Sequence, residues 1–330
     1  MRMLAAPGDM NLPTVRPVIA LKSAQWLEVG RRAFPAIALV LLCVRAGAQD
    51  LEPRAYSASP VGTQFLVLVY GRTGGQIVFD PTIPITDAEA RLNTPAVGVG
   101  GSIGLLGRQA LVTAALPYVW GKAEGSVGEA RSEIRRSGLA NLQTRFAINL
   151  HGSPALSPQE FAKRRRRWIV GTSVTVHAPT GQYSRTKLIN IGTNRWAVKP
   201  EVGLSIPLKR FDIDAYLGAW FFETNNAVFP GDSVRKQDSL RTVQAHVSYT
   251  IRRGLWLAFD STWYGGGASS VDGGPKSLRQ NSTRIGATFS LPIGQRQSLK
   301  FGYGNGVSAR AGSDFDTFSV AWQVIRINQE

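Results

Sequence analysis

From about residue 62 onward the chain divides into segments in which apolar and polar side chains alternate, separated by clusters of Gly, Asn, Asp, Pro and charge. In the final segment Phe318, Val320, Trp322 and Val324 alternate with Thr317, Ser319, Ala321 and Gln323. Trp196, Val198, Val202, Leu204, Ile206 and Leu208 alternate with Lys199, Glu201, Gly203 and Ser205, and a stretch from Arg241 to Ile251 repeats the pattern. A period of two is the mark of a strand with one buried face. Twelve strands are predicted, at 62–74, 92–106, 109–121, 137–150, 167–179, 194–208, 210–222, 239–252, 254–265, 279–292, 297–305 and 314–325. Short connections, such as Gly107-Arg108, Lys209-Arg210 and Gly294-Gln295-Arg296, interleave with long ones at 75–91, 122–136, 180–193, 223–238 and 266–278.

An even number of strands, with short turns at one end and long loops at the other, predicts an all-β fold: a transmembrane antiparallel up-and-down β-barrel of about 12 strands. A soluble sandwich would also alternate, but its strands have a mode of about 5–6 residues, whereas a tilted membrane strand needs about 10. Aromatic residues agree with the barrel. Tyr118 and Trp120 end one segment, Trp168 and Trp196 open two others, and Trp263 and Tyr264 end a fourth, as interfacial girdles require. One connection breaks the rule. By parity 151–166 should be a short turn, yet it is long and runs into Lys163-Arg164-Arg165-Arg166-Arg167, so the strand count is most exposed there.

The longest uninterrupted apolar stretch, Ala33 to Val44, is far shorter than the roughly 20 residues of a membrane-spanning helix. Preceded by Arg31-Arg32 and followed by Ala46-Gly47-Ala48, it reads as a secretory signal cleaved before Gln49. Residues 1–48 are therefore assigned to an N-terminal extension and signal peptide, and 49–330 to an outer-membrane barrel domain; the long polar lead of 1–30 suggests that translation starts near Leu27 or Val29. Cys43, the single cysteine, falls in the discarded part, so the exported chain uses no disulfide. The formal charge is +16, and an exported basic chain points to lipid and lipopolysaccharide phosphates as partners rather than to nucleic acid. Arg185, Lys187, Arg195, Arg235 and Lys236, in predicted outer loops, are the candidates for lipopolysaccharide.

Ala178-Pro179-Thr180-Gly181-Gln182-Tyr183, then Asn190-Ile191-Gly192-Thr193-Asn194-Arg195-Trp196 and Pro200-Glu201-Val202-Gly203, form a distinctive central stretch. Tyr56-Ser57 with Pro60-Val61-Gly62, Asp80-Pro81 with Pro84-Ile85, and Gly107-Arg108 add to it. Over essentially all of 52–326 the chain resembles the MetA-pathway of phenol degradation family of bacterial outer-membrane, transporter-like barrels. The resemblance implies a barrel that passes small, often aromatic, apolar molecules. Where many barrels end on an aromatic residue, this chain runs on from Ile325 to Glu330, which leaves Phe318, Val320 and Trp322 as the C-terminal assembly signal.

The chemical census is mainly negative. His151, His177 and His246 do not stand at zinc-ligand spacing, and neither a nucleophile elbow nor a phosphate-binding loop is present. No catalytic residue, cofactor site or metal site is expected, and no enzyme. Parity picks the lumen side chains, since Arg or Lys on the lipid face at the midplane would cost about 2–4 kcal/mol. They are Arg145, His177, Lys199 and Glu201; then Asp212, Asp214, Tyr216 and Trp220; then His246, Trp256, Asp260 and Arg284. Either they form a salt-bridged interior, or they line a solute path in which Tyr216, Trp220 and Trp256 stack on an aromatic solute. Three functions follow in order: a passive channel for small hydrophobic or aromatic compounds, a lipid-active barrel enzyme, and a structural or adhesive surface barrel with a plugged lumen. No plug domain is expected ahead of the first strand, and the sequence leaves the oligomeric state open.

Overall fold

The computed structural model describes residues 52–78, 86–127, 130–309 and 312–327. The predicted signal segment and the Asp80 to Ile85 motif lie outside these residues. The described chain is a closed antiparallel barrel of 12 strands with one extra strand. Its first four are β1 (Thr63–Val78), β2 (Thr86–Leu105), β3 (Arg108–Val127) and β4 (Ala130–Leu139). Next come β5 (Gln143–His151), α1 (Pro158–Lys163), β6 (Ile169–His177), β7 (Ala197–Leu208), β8 (Phe211–Phe222), β9 (Asn225–Val228) and β10 (Ser233–Gln237). The last are β11 (Leu240–Arg252), β12 (Leu255–Gly266), β13 (Ser269–Val271), β14 (Gln280–Pro292), β15 (Gln297–Ala309) and β16 (Gly312–Ile327). β1 pairs with both β2 and β16, from Thr63↔Ile327 to Val78↔Gly312 on the latter side, and this seam closes the sheet. Closure satisfies the edge groups that hydrocarbon could not.

The predicted strands are found, with differences that have physical causes. Segments expected as loops at 75–91 and 122–136 are mostly strand, because β1, β2 and β3 continue their pairing well past the apolar band. The 137–150 segment is interrupted. β4 pairs with the outer half of β3 (Tyr118↔Leu139) and β5 with the inner half (Ala115↔Gln143), so three residues, Ala140 to Leu142, face two on β3. This is a bulge in one stave. β4 is thus the extra strand, and the barrel count of twelve stands. The 223–238 and 266–278 loops contain a small sheet ordered β13-β10-β9, too short to show as alternation.

The long 151–166 connection carries no strand apart from a bridge between Pro154 and Arg108. It holds the single turn α1, capped by Ser157 and Glu160 in a reciprocal box, with Pro158 at its start. Hydrogen bonds from the Ser157 amide and hydroxyl hold the Glu160 carboxyl below the usual carboxylate range.

The outer surface is apolar. Leu66, Leu68, Val97, Val99, Val202, Leu217, Val247, Phe259 and Phe318 are all exposed, alternating with buried or half-buried neighbours. A soluble protein would hide such residues; a lipid-facing band displays them. Tyr70, Tyr118, Trp120, Trp196 and Trp263 ring the long-loop side of this band, and Trp168 and Phe211 the short-turn side. Tyr264 departs from the expected girdle: next to outward Trp263 it turns inward and is buried. Leu217 sits mid-strand on β8 and is 61% exposed. Leu217→Arg is expected to lower stability by about 2–4 kcal/mol in a urea titration of the barrel in phospholipid vesicles.

Candidate functional site

All twelve side chains predicted to face the lumen lie on the inward face, opposite exposed apolar neighbours, and most are buried. They occupy one continuous arc of the wall: β5, β6, β7, β8, β11, β12 and β14 are consecutive neighbours in the sheet. Within it the groups pair with one another. Glu201 receives Lys199 Nζ at 2.8 Å and lies 3.9 Å from Arg145. Lys199 also sits over the Trp220 ring, whose centroid is 4.6 Å from that of His177. His246 stands between two carboxylates in register, Asp214 on β8 and Asp260 on β12. Its Nδ1 is 2.7 Å from Asp260 Oδ1, and both side chains are fully buried. Thr288 donates to the other Asp260 oxygen, and Ser205 to Asp214. Arg284 reaches across β15 to Thr317 at 3.2 Å. Gly302, Gly304 and Gly306 alternate along the intervening strand and leave room there.

The remaining arc, β15, β16, β1, β2 and β3, is of another kind. Apart from Lys300 near the Trp256 ring, mid-barrel inward positions carry no charge and are mostly small or apolar: Val67 and Val69 on β1, Ala96 and Gly98 on β2, Ala321 on β16, with Gln323 and Ser319 on β16 and Thr113 on β3 as uncharged polar members. The lumen is therefore charged and aromatic on one side and uncharged, mainly apolar, on the other.

Sequence reasoning anticipated no plug ahead of the first strand. The structure shows that residues 54–62 enter the lumen and run along its inner wall near the short-turn end. Arg54 forms an ion pair with Asp212 at 2.9 Å and donates to Ser248 at 2.8 Å and Thr250 at 2.7 Å. Its backbone N–H donates to Asp214, and that of Ala55 to the Tyr216 hydroxyl. Tyr56 donates its hydroxyl to Glu201 at 3.1 Å, and its carbonyl accepts from Asn149. Ser59 bonds Gln109 twice, and Pro60 accepts from Ser102. Asp212 and Asp214 are thus the anchors of this strap.

Tyr56 is 2% exposed, and its seat is cut into the wall by two glycines in register, Gly171 on β6 and Gly203 on β7. A Cβ at Gly171 would lie 2.2 Å from the Tyr56 ring, and one at Gly203 2.1 Å from it. Only hydrogen at both positions lets the ring lie flat against the sheet, where Tyr216 meets it edge-on at 5.2 Å and Arg145 stacks at 4.9 Å. The sequence signal for the seat was two inward-facing glycines in otherwise well-filled strands.

At the other end, the chain between His177 and Ala197 folds back over the opening. Asn141, in the bulge, accepts from the Gly181 and Thr193 backbone N–H groups and donates to the Thr193 hydroxyl. Gly181 and Gly192 cross so closely that a Cβ on either would lie within 3 Å of the other. Asn190 closes the loop on itself through Ser184 and Lys187. Ile191 packs against the inward residues Leu92, Val119 and Ala140. The distinctive central stretch is accordingly the architecture of an in-turned loop. Arg195 and Arg235 are buried here, 7% and 3% exposed, which removes them from the lipopolysaccharide-facing set expected from charge. Burial raises the Tyr183 hydroxyl above its ordinary pKa, and it donates to the Ala227 carbonyl.

The profile of the family described as "Putative MetA-pathway of phenol degradation" matches residues 74–322. The chain belongs to that family. Among solved structures it is similar to the COG4313 outer membrane channel from Pseudomonas putida F1, at 19% identity over 84% of this chain and 100% of that one, with a TM-score of 0.69. The transport unit of the autotransporter AIDA-I from Escherichia coli follows at 11% identity, 91% and 98% coverage and a TM-score of 0.48. The TodX monoaromatic hydrocarbon channel stands at 9%, 81% and 90%, and 0.45. No curated protein sequence matches. Among the described residues of this family member no group of three His, Cys, Asp or Glu is placed to hold a metal.

Because the Tyr56 ring fills the seat at the centre of the strap, Tyr56→Ala and Gly203→Val are both expected to loosen it. The check is limited proteolysis of the reconstituted barrel: cleavage near Arg54 should rise severalfold in both variants, while heat-modifiable gel migration still reports a folded barrel.

Proposed function

We propose that this protein is an outer-membrane channel for passive passage of small hydrophobic or aromatic compounds, exported by a signal cleaved before Gln49. The observation that carries this reading is the two-sided lumen. The charged arc meets most of its own needs: Glu201 is occupied by Lys199 and Tyr56, and the Trp220 ring is covered by His177 and Lys199. A solute without charge gains little there. The apolar arc, by contrast, presents half-exposed Phe65, Val67 and Val69 to the interior, where burial of solute surface is favourable at about 25 cal/mol per Å². The path we infer runs between the two arcs, with the twelve polar and aromatic residues as its shaped wall. The in-turned 178–196 loop forms the outer constriction and the 54–62 strap the inner one.

The family description and the similarity to the COG4313 outer membrane channel support this reading. A barrel does not by itself define a function, and a plugged structural barrel is the competing reading. The test is single-channel recording in planar bilayers with and without an aromatic solute such as toluene. Wild type should give small steps that the solute modulates, and Ala321→Trp on the apolar arc should reduce them severalfold. Trp220→Ala should alter them less, because its ring is already packed. A silent wild type together with no solute flux into vesicles would favour the plugged structural barrel.

A further inference from the structure

The connections at the short-turn end are basic out of proportion to the rest of the molecule. Arg108, the Lys163 to Arg167 run, Lys209-Arg210, Arg252-Arg253, Arg296 and Arg326 place cations at the base of every stave pair, and all but Arg164 are exposed. Among the described residues of these connections Glu160 is the one acid, and it is engaged by Ser157 at the α1 cap. Arg166 is the one of these cations in a salt bridge among the described residues, to Asp212. The long-loop end is different in kind. There Lys122 pairs with Glu124 and Glu133, Arg131 with Glu124, Arg135 with Glu133 and Lys276 with Asp238. One end of the barrel carries interleaved charges of both signs, and the other is a nearly pure ring of guanidinium and ammonium groups.

We propose that this ring is a binding surface for the phosphate headgroups of anionic glycerophospholipids in the leaflet that surrounds the short-turn end. Two features select a lipid over a soluble polyanion. First, the cations are spread around the whole circumference instead of being gathered on one face, so only a partner that itself surrounds the barrel can meet them together. Second, they lie directly against outward-facing apolar residues: Leu106, 88% exposed, adjoins Arg108; Trp168 adjoins Arg167; Ile251 adjoins Arg252. Apolar side chain and cation side by side match acyl chain and phosphate side by side. Arginine suits the task, since its planar fork takes two phosphate oxygens at once. The surface would hold an annulus of anionic lipid against the barrel. This inference rests on reading the chain as a membrane barrel, and not on its conducting any solute.

The experiment is lipid selectivity by spin-label EPR. The purified protein is reconstituted in phosphatidylcholine vesicles carrying trace spin-labelled phosphatidylglycerol or spin-labelled phosphatidylcholine. Wild type should select phosphatidylglycerol by about twofold or more at low salt, falling toward unity at 1 M salt as the charges are screened. The variant with Arg165→Gln, Arg167→Gln, Arg253→Gln and Arg296→Gln should lose most of that selection. Arg185→Gln with Lys187→Gln, at the other end, should keep it. Equal selection of the two lipids by wild type, or salt-insensitive selection, overturns the proposal, as does equal loss in the two variants. Cosedimentation with peptidoglycan without phosphatidylglycerol selection would assign the ring to the cell wall instead. Should the quadruple variant fail to fold, judged by gel migration, the wild-type salt series decides alone. Failure here would leave single-channel conductance, and the channel reading, untouched.

Discussion

Everything in this fold follows from closing the sheet between β1 and β16. Hydrocarbon offers no partner to a backbone N–H or C=O, so an open edge would leave a row of groups each costing several kcal/mol. Once the seam forms, the pleat leaves each side chain only two destinations, lipid or lumen. The lumen must then take the charges the strands carry within the apolar band. It takes most of them in paired groups: Glu201 shared by Lys199 and Tyr56, His246 held by Asp260, Asp212 by Arg54 and Arg166. Removing one member of such a buried set leaves its partner stranded, so the interior is more specific than strong.

The alternation made the barrel legible because it is enforced residue by residue: Leu217 could not be outward without Tyr216 and Gly218 being inward. Strand number and lumen residues were readable for that reason. What could not be read lacked a period. The bulge at Ala140 to Leu142 is one extra residue in an otherwise regular stave, and β9, β10 and β13 are too short to alternate. The strap was hidden for a different reason. Residues 54–62 have no pattern of their own, and their conformation is dictated by contacts with strands 50 to 200 positions away in sequence, as Ser59 with Gln109 and Arg54 with Thr250 illustrate. Tyr56-Ser57 and Pro60-Val61-Gly62 marked the segment without revealing where it lies, and Gly171 and Gly203 marked its seat, although a missing side chain reads equally well as bending.

The division of the lumen into a charged and an apolar arc bears on how the chain was partitioned. The charged arc is also the arc the strap leans on through Arg54 and Tyr56, so strap and polar network form one body. The apolar arc contributes the closing seam and touches the strap mainly where it turns into β1, near Ser102 and Gln109. A substitution on one arc is therefore expected to register in stability, and on the other in transit.

The unequal lengths of the strands have a consequence for the outline of the molecule. β2 and β3 run 20 residues each, whereas β7 and β8 run 12. At about 3.4 Å per residue and a tilt near 40°, the eight extra residues carry β2 and β3 about 20 Å further along the barrel wall than β7 and β8 reach. The rim is thus built in two ways: on one flank the barrel wall itself continues outward as long strand, and on the other the staves stop early and separate loops, the β9–β10–β13 sheet among them, take over. The first flank keeps the stiffness of the closed sheet, whereas the second can be remodelled by loop substitutions without touching the registers that close the barrel.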